Sequence, residues 1–270
     1  SESVINFDKA LTKHVGNFIR NFLRAILFSW TRGRLASSHG DQNTKEYYRN
    51  LAVLSAKFAC LSDIALLLLA GSLKRKEMVS GRFADAISAM YEISSCLKLY
   101  EEKFQNDEKI QSVLRLSILK LIQEADNAML ANIESFPVNR FFKLLLRFFV
   151  SPFSVTRAKI DDRLIASSAK SIADIEWLLE NFSSCLSANL KDIPEHPFNI
   201  LFQGYEASIS LRPLRQKVKK AGHKYEPSST LEEWLDELVK GEVLSAEEKG
   251  DWLRLNDVVL EALKVDDYKI

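Results

Sequence analysis

The chain has 270 residues, 47% of them hydrophobic and 10% aromatic, so it can bury a substantial core and is not a disordered tail. Nine Gly and six Pro are too few for the tight turns of an all-β chain or for a glycine-rich nucleotide cradle, and 37 basic against 36 acidic side chains leave a net charge of +1, which excludes a bulk attraction to nucleic acid. The balance hides a division: residues 1–150 carry 21 basic and 15 acidic side chains, residues 151–270 carry 16 and 21, and the acidic excess lies after Glu226.

Residues 7–30 read as a helix whose Phe18, Phe22, Ile26 and Trp30 fit a core face, or, beside Arg20 and Arg24, a weaker membrane-facing one. A polar loop, residues 31–43 with Gly33 and Gly40, follows. Tyr47, Leu51, Leu54, Phe58, Leu61, Ala65 and Leu68 then alternate by four and three, the seam of a long helix that Gly71 is placed to stop. Phe83, Ala86, Met90, Ile93, Leu97 and Tyr100 repeat the pattern, and so do Ile110, Leu114, Ile118, Leu121, Ala125 and Met129 ahead of Pro137. A fourth seam runs through Ile172, Ile175, Leu179, Phe182, Leu186 and Leu190 before Pro194.

Between the third and fourth seams lie residues 138–150, bracketed by Pro137 and Pro152. Phe141, Phe142, Leu144, Leu145, Leu146, Phe148, Phe149 and Val150 surround Arg140, Lys143 and Arg147, whose spacing puts the three cations on one narrow face. At 1.5 Å per residue such a helix is about 20 Å long, too short to cross a bilayer but suited to lying on one. A buried bundle helix with snorkelling cations fits equally well.

After Pro197 the chain turns to shorter pieces, with a basic stretch over residues 212–224. Ser229 with Glu232, and Ser245 with Glu248, have capping-box spacing, and Gly241 sits where the first helix should end, so residues 226–264 read as an acidic helical hairpin. The expected fold is all-α. An antiparallel bundle of four long helices with an extra N-terminal helix occupies residues 1–193, and a smaller helical subdomain occupies residues 194–270.

Little chemistry is visible. His14, His39, His196 and His223 stand alone, and Cys60, Cys96 and Cys185 are odd in number and far apart, which suits a reducing compartment rather than a disulfide framework or a metal site. Neighbouring carboxylates, Glu101 with Glu102 and Asp161 with Asp162, point apart on a helix and read as solvated. Lys74, Arg75 and Lys76 follow a single glycine, Gly71, too few for a phosphate-cradling loop. They read as solvated charges at a helix junction or as a contact for an anion or an acidic partner. The start, Ser1-Glu2-Ser3-Val4, offers no Met, basic leader or apolar signal core, and no uncharged stretch exceeds about ten residues, so the expectation is a chain neither secreted nor transmembrane and cut from something longer.

An ordered set of short motifs says more: Phe7-Asp8-Lys9 with His14-Val15-Gly16, Thr31-Arg32-Gly33, Gly40-Asp41, Tyr47-Tyr48, Leu54-Ser55-Ala56, Leu61-Ser62-Asp63, Gly71-Ser72-Leu73-Lys74-Arg75 and Leu97-Lys98 with Tyr100. Together they resemble the C-terminal region of bacterial FadE-type acyl-CoA dehydrogenases, densely over residues 7–104, more loosely to 150, and thinly at Glu195-His196-Pro197 and Val265-Asp266-Asp267-Tyr268.

The resemblance implies an FAD-dependent parent that introduces the α,β double bond of an acyl-CoA in fatty-acid β-oxidation. Its flavin and catalytic base would sit in an upstream core of the same polypeptide, so no catalytic, cofactor-binding or metal residue is transferred onto this piece. By analogy with long-chain-specific dehydrogenases, an appended helical domain would cover the core's dimer surface and bring a cytoplasmic enzyme to the inner membrane. Arg140, Phe141, Phe142, Lys143, Leu145, Arg147, Phe148 and Phe149 are then the candidate membrane or partner contact, and Lys74, Arg75 and Lys76 the candidate anion contact. The competing reading is a stand-alone helical scaffold that binds other proteins.

Overall fold

Three of the four seams fold as long helices, because apolar residues repeated every three or four positions must face a partner along their whole length. The protein is seen here as a computed structural model that describes residues 2–105, 107–182, 197–225 and 230–264. Every regular element among them is helical: α1 (Glu2–Thr31), α2 (Lys45–Leu69), α3 (Glu77–Leu99), α4 (Glu108–Ser135), α5 (Arg140–Val150), α6 (Asp162–Ile172), α7 (Ile175–Phe182), α8 (Pro197–Lys220), α9 (Leu231–Lys240) and α10 (Ala246–Ala262). The chain forms two compact units, Ser1–Asp174 and Ile175–Ile270.

In the first unit α2, α3 and α4 pack on one another, and α1 lies along α2. Of the seam residues, Leu54, Leu61, Ala65, Ala86, Ile93, Leu97, Ile118, Ala125 and Met129 are buried, while Tyr47, Leu51, Phe58, Leu68, Phe83 and Leu121 are half-buried at the edges of the stripes. From Lys45 to Arg75 the chain is long and apolar enough to cross a bilayer, with a mean hydropathy of 1.9 in its most apolar window, yet its buried face is the centre of this bundle. The end of α2 differs from the expected glycine stop. Ala70 takes the left-handed position, at φ 44°, and a 3-10 turn (Ala70–Arg75) carries the chain past Gly71 into α3.

A side-chain turn sets the start of α2. One carboxylate oxygen of Asp41 accepts hydrogen bonds from the N–H groups of Asn43 and Thr44 and from the Thr44 hydroxyl, each 2.9 Å long. Burial opposes ionisation there, but the Thr44 hydroxyl and these N–H groups hold the Asp41 carboxyl below its ordinary range. Between α1 and α2, Asn21 donates to Asp63 at 2.8 Å, so one of the quoted motifs fastens the N-terminal helix to the bundle.

The fourth seam does not form one long helix. A turn at Ala173–Asp174, closed by bonds from Ala173 N–H to Ala169 and from Asp174 N–H to Ser171, separates α6 from α7. The seam's Leu186 and Leu190, with Cys185, Pro194, Glu195 and His196, lie outside the described residues, as do Val265 to Tyr268 at the chain's end. The helix α6 packs on α4, where Ser168 donates to the Ser112 carbonyl at 2.9 Å and Lys109 pairs with Asp174. Asp161, read as solvated, is exposed and also caps α6 by accepting from Leu164 N–H at 2.9 Å.

In the second unit α8 runs for 24 residues through both Gly204 and Pro213, longer than its breakers suggest. Packing overrides propensity here: Ala207, Leu211 and Val218 form a buried face, and α8 lies against α10. Gly204 makes the closest approach, since a Cβ at that position would collide with the Ala262 side chain. The hairpin forms as read, and Gly241 follows α9. Its first capping box is one residue later than expected, Thr230 with Glu233 rather than Ser229 with Glu232; Ser229 lies outside the described residues. The second box, Ser245 with Glu248, is as read. Glu248 also takes Lys217 of α8 at 2.7 Å; that hydrogen bond first, and the Ser245 N–H next, hold its carboxyl below the ordinary range.

Candidate functional site

The Phe-rich segment becomes α5, eleven residues long, started by Asn139 accepting from Phe142 N–H at 2.8 Å. It is not a buried bundle helix. Only Leu146 and Val150 are buried, and the opposite face leaves Phe141 68%, Leu144 64% and Phe148 54% exposed, with Phe142 and Phe149 also exposed and Leu145 half-buried. Two bonds lock the C-terminal end of α5. The Ser29 hydroxyl donates to the Val150 carbonyl at 2.8 Å, and the buried Lys57 ammonium donates to the Ser151 hydroxyl at 2.9 Å.

That lysine belongs to a buried network. Lys57 of α2 pairs with Asp126 of α4 at 2.8 Å, and the other Asp126 oxygen accepts from Val155 N–H at 3.3 Å. Burial pushes the Lys57 ammonium below its ordinary pKa, with the Asp126 charge acting in the opposite direction. The pair therefore ties α2, α4 and the segment that follows α5 at one point.

The three cations of α5 share one side, as their spacing requires. Lys143 reaches the Glu134 carbonyl and Arg147 the Glu134 carboxylate at 3.7 Å, so both lean toward the end of α4, while Arg140 is exposed at the start of α5. Along α1, Leu11, Val15, Ile19, Leu23, Leu27 and Trp30 are all exposed. Trp30 meets Phe148 edge-on at 5.0 Å between ring centroids and Phe153 at 5.8 Å, which makes the apolar strips of α1 and α5 continuous. Monomeric soluble proteins rarely leave so extended an apolar face bare.

Lys74, Arg75 and Lys76 lie exposed at the corner between α2 and α3, without an ion pair among the described residues. The structure does not bring them together with α5 into one site. Among the remaining candidates, His14, His39 and His223 are exposed. Cys60 is a buried free thiol pushed up to about 12 by burial, so it is a poor nucleophile. Glu101 is not solvated as expected: it is half-buried and hydrogen-bonded to Tyr48, whose hydroxyl is pushed up to about 12 by burial and by that carboxylate.

The sequence reading missed one arrangement, a cavity of about 270 Å³ lined by Arg32, Arg34, Glu46, Arg49, Asn50, Val155 and Arg157. Its cations come from three separate segments, so no local spacing announces it. The one hint was Thr31-Arg32-Gly33, where Arg32 (φ 51°) and Gly33 (φ 73°) turn the chain back from α1, with Gly33 N–H bonded to the Phe28 carbonyl at 2.8 Å and Arg32 N–H to the Ser29 carbonyl at 3.3 Å.

No solved structure matches the chain. A family model described as acyl-CoA dehydrogenase, C-terminal, bacterial type, matches residues 1–268. The match spans both units and includes the motif-bearing helices α1 to α3 as well as α5 and its apolar face. This chain belongs to the family of bacterial-type acyl-CoA dehydrogenase C-terminal domains.

Proposed function

We propose that the chain is the non-catalytic appended domain of an FAD-dependent enzyme that converts acyl-CoA to trans-2-enoyl-CoA in fatty-acid β-oxidation, and that it packs on the dehydrogenase core of the same polypeptide. A C-terminal domain of this family implies such a core and an oxidoreductase parent. The observation that carries the docking reading is the bare apolar strip of α1, Leu11, Val15, Ile19, Leu23 and Leu27, on the first helix of the domain. Covering it removes apolar surface from water at about 25 cal/mol per Å². The same cover extends to the parent's dimer surface. Flavin and catalytic base belong to the core, and this domain supplies packing.

Hydrogen exchange tests the docking. Amides of residues 8–30 exchange at least tenfold more slowly in the full-length enzyme than in the 270-residue chain, and equal rates defeat it. The isolated chain binds no flavin and turns over no acyl-CoA; measurable turnover defeats the non-catalytic reading.

A second contact is favoured by the α5 face, where exposed Phe141, Leu144 and Phe148 stand beside the exposed cation Arg140. This combination suits the boundary layer of an anionic bilayer, placing the parent enzyme at the cytoplasmic periphery of the inner membrane. Vesicles of phosphatidylglycerol and phosphatidylethanolamine should co-sediment with the chain, and Phe141→Glu/Phe148→Glu should reduce binding at least tenfold while leaving the fold intact, because both rings are exposed. Equal binding by both proteins, or by neither, dismisses α5 as an anchor.

A further inference from the structure

The arginine-lined cavity lies outside every role assigned above. Arg32 and Arg34 come from the turn after α1, Arg49 and Asn50 from α2, and Arg157 from the segment after α5, which the Asp126 bond to Val155 N–H holds in place. Gly33 brings the turn down onto α2: a Cβ on it would stand 2.8 Å from the Arg49 carbonyl oxygen and 3.1 Å from the Arg49 Cβ. Four guanidinium groups thus face one cavity against a single carboxylate, that of the exposed Glu46. None of the four makes an ion pair with Glu46 or with any other carboxylate among the described residues, although guanidinium is the side chain best suited to bidentate anion pairing.

Two donors point to a missing acceptor. Asn50 is only 4% exposed and its Nδ2 is buried with no hydrogen-bond partner, and the same is true of the Arg49 Nε next to it. Orphaned donors of this kind are rare in folded chains, and here both belong to residues that line a positively charged cavity. A surplus of three positive charges favours a multiply charged anion over a lone carboxylate. At about 270 Å³ the space is at the small end of ligand pockets, fit for a phosphate and its immediate ester neighbour rather than for a dinucleotide.

We propose that Arg32, Arg34, Arg49, Arg157 and the Asn50 amide form a phosphate-binding pocket that takes the phosphate ester of a small ligand or of a lipid headgroup. The backbone supports the assignment. Arg32 occupies a left-handed position at φ 51°, where glycine is the unstrained choice, yet it is an arginine, stacked over Phe153 at 4.8 Å. Since Phe153 also touches Trp30, the pocket adjoins the apolar face, and a headgroup bound here would have an apolar surface for its chains.

The test is calorimetric titration of the 270-residue chain with inorganic pyrophosphate at constant ionic strength, with chloride as the control anion. Arg32→Gly and Arg49→Gln each weaken binding at least tenfold. Arg32→Gly keeps the fold because glycine suits that backbone position, so its loss of binding reports on the side chain. Absence of binding above the chloride control, or native affinity retained in both variants, overturns the pocket. A soluble short-chain phosphatidylglycerol separates the two sources: displacement of pyrophosphate by it supports the lipid headgroup, and binding of pyrophosphate without such displacement supports a soluble phosphate ester. The Phe141→Glu/Phe148→Glu protein retains its pyrophosphate affinity, so failure of the α5 anchor and failure of this pocket are read separately.

Discussion

Replacing Asp126 by alanine lowers the unfolding free energy by about 3–5 kcal/mol, the usual cost of leaving one partner of a buried ion pair alone. Lys57 is 1% exposed and Asp126 5%, so water cannot replace the lost carboxylate. The same change orphans Val155 N–H, which the carboxylate accepts at 3.3 Å. The pH dependence has a defined sign. In the native chain the Lys57 ammonium already sits below its ordinary pKa, chiefly through burial, and the variant loses the one charge that opposes that shift. A depressed folded pKa means stability that is present above the unfolded value of 10.5 and lost as pH falls through the folded one, so the variant recovers part of its loss on alkalinisation toward that value. Urea denaturation followed by far-ultraviolet circular dichroism measures it, and a cost below about 1 kcal/mol contradicts the network. Lys57→Met/Asp126→Leu, which removes both charges, should return the stability close to that of the native chain.

Trp234→Ala destabilises the second unit by about 3–5 kcal/mol, the range for emptying a buried aromatic site. The indole stands edge-on to Tyr225 at 5.3 Å and to Trp252 at 5.8 Å between ring centroids, and with Leu211, Val218, Leu235, Leu238 and Leu244 it forms the core that joins α8, α9 and α10. A loss of that size is a large part of the stability available to a small unit. Trp234→Phe keeps most of the ring volume and costs under about 1.5 kcal/mol. Near-ultraviolet circular dichroism through a urea titration distinguishes the two, and a Trp234→Ala protein that unfolds at the native midpoint shows that the cluster does not hold the unit.

Periodicity made α2, α3 and α4 legible because each buries one stripe against neighbours along its full length, and the stripe alone defines the helix. The fourth seam misled because a turn at Ala173–Asp174 breaks the helix without disturbing the three-residue step from Ile172 to Ile175. The first capping box slipped by one residue because Ser229 and Thr230 each precede a glutamate by three. Starting α9 at Leu231 puts Trp234, Leu235 and Leu238 inward, and that packing decides the register. Composition could not place α5 in core or solvent, because its cations suit both; burial of Leu146 and Val150 alone settles which face is held.

No local spacing marks Lys57 as buried, since its partner lies 69 residues away. The arginine cavity is illegible for the same reason: its parts meet only after three segments fold together. What the sequence carried about family came instead from the order of many weak motifs, a kind of information that no single spacing contains.

The bare α-carbon of Gly204 has a wider effect than its size suggests. Its hydrogen faces the Ala262 methyl, so the distance between the rods α8 and α10 is set there by the smallest substituent chemistry allows. Any bulkier group there must push the two rods apart where they cross. A hydrogen at one crossing thus acts as the gauge for that pair of helices.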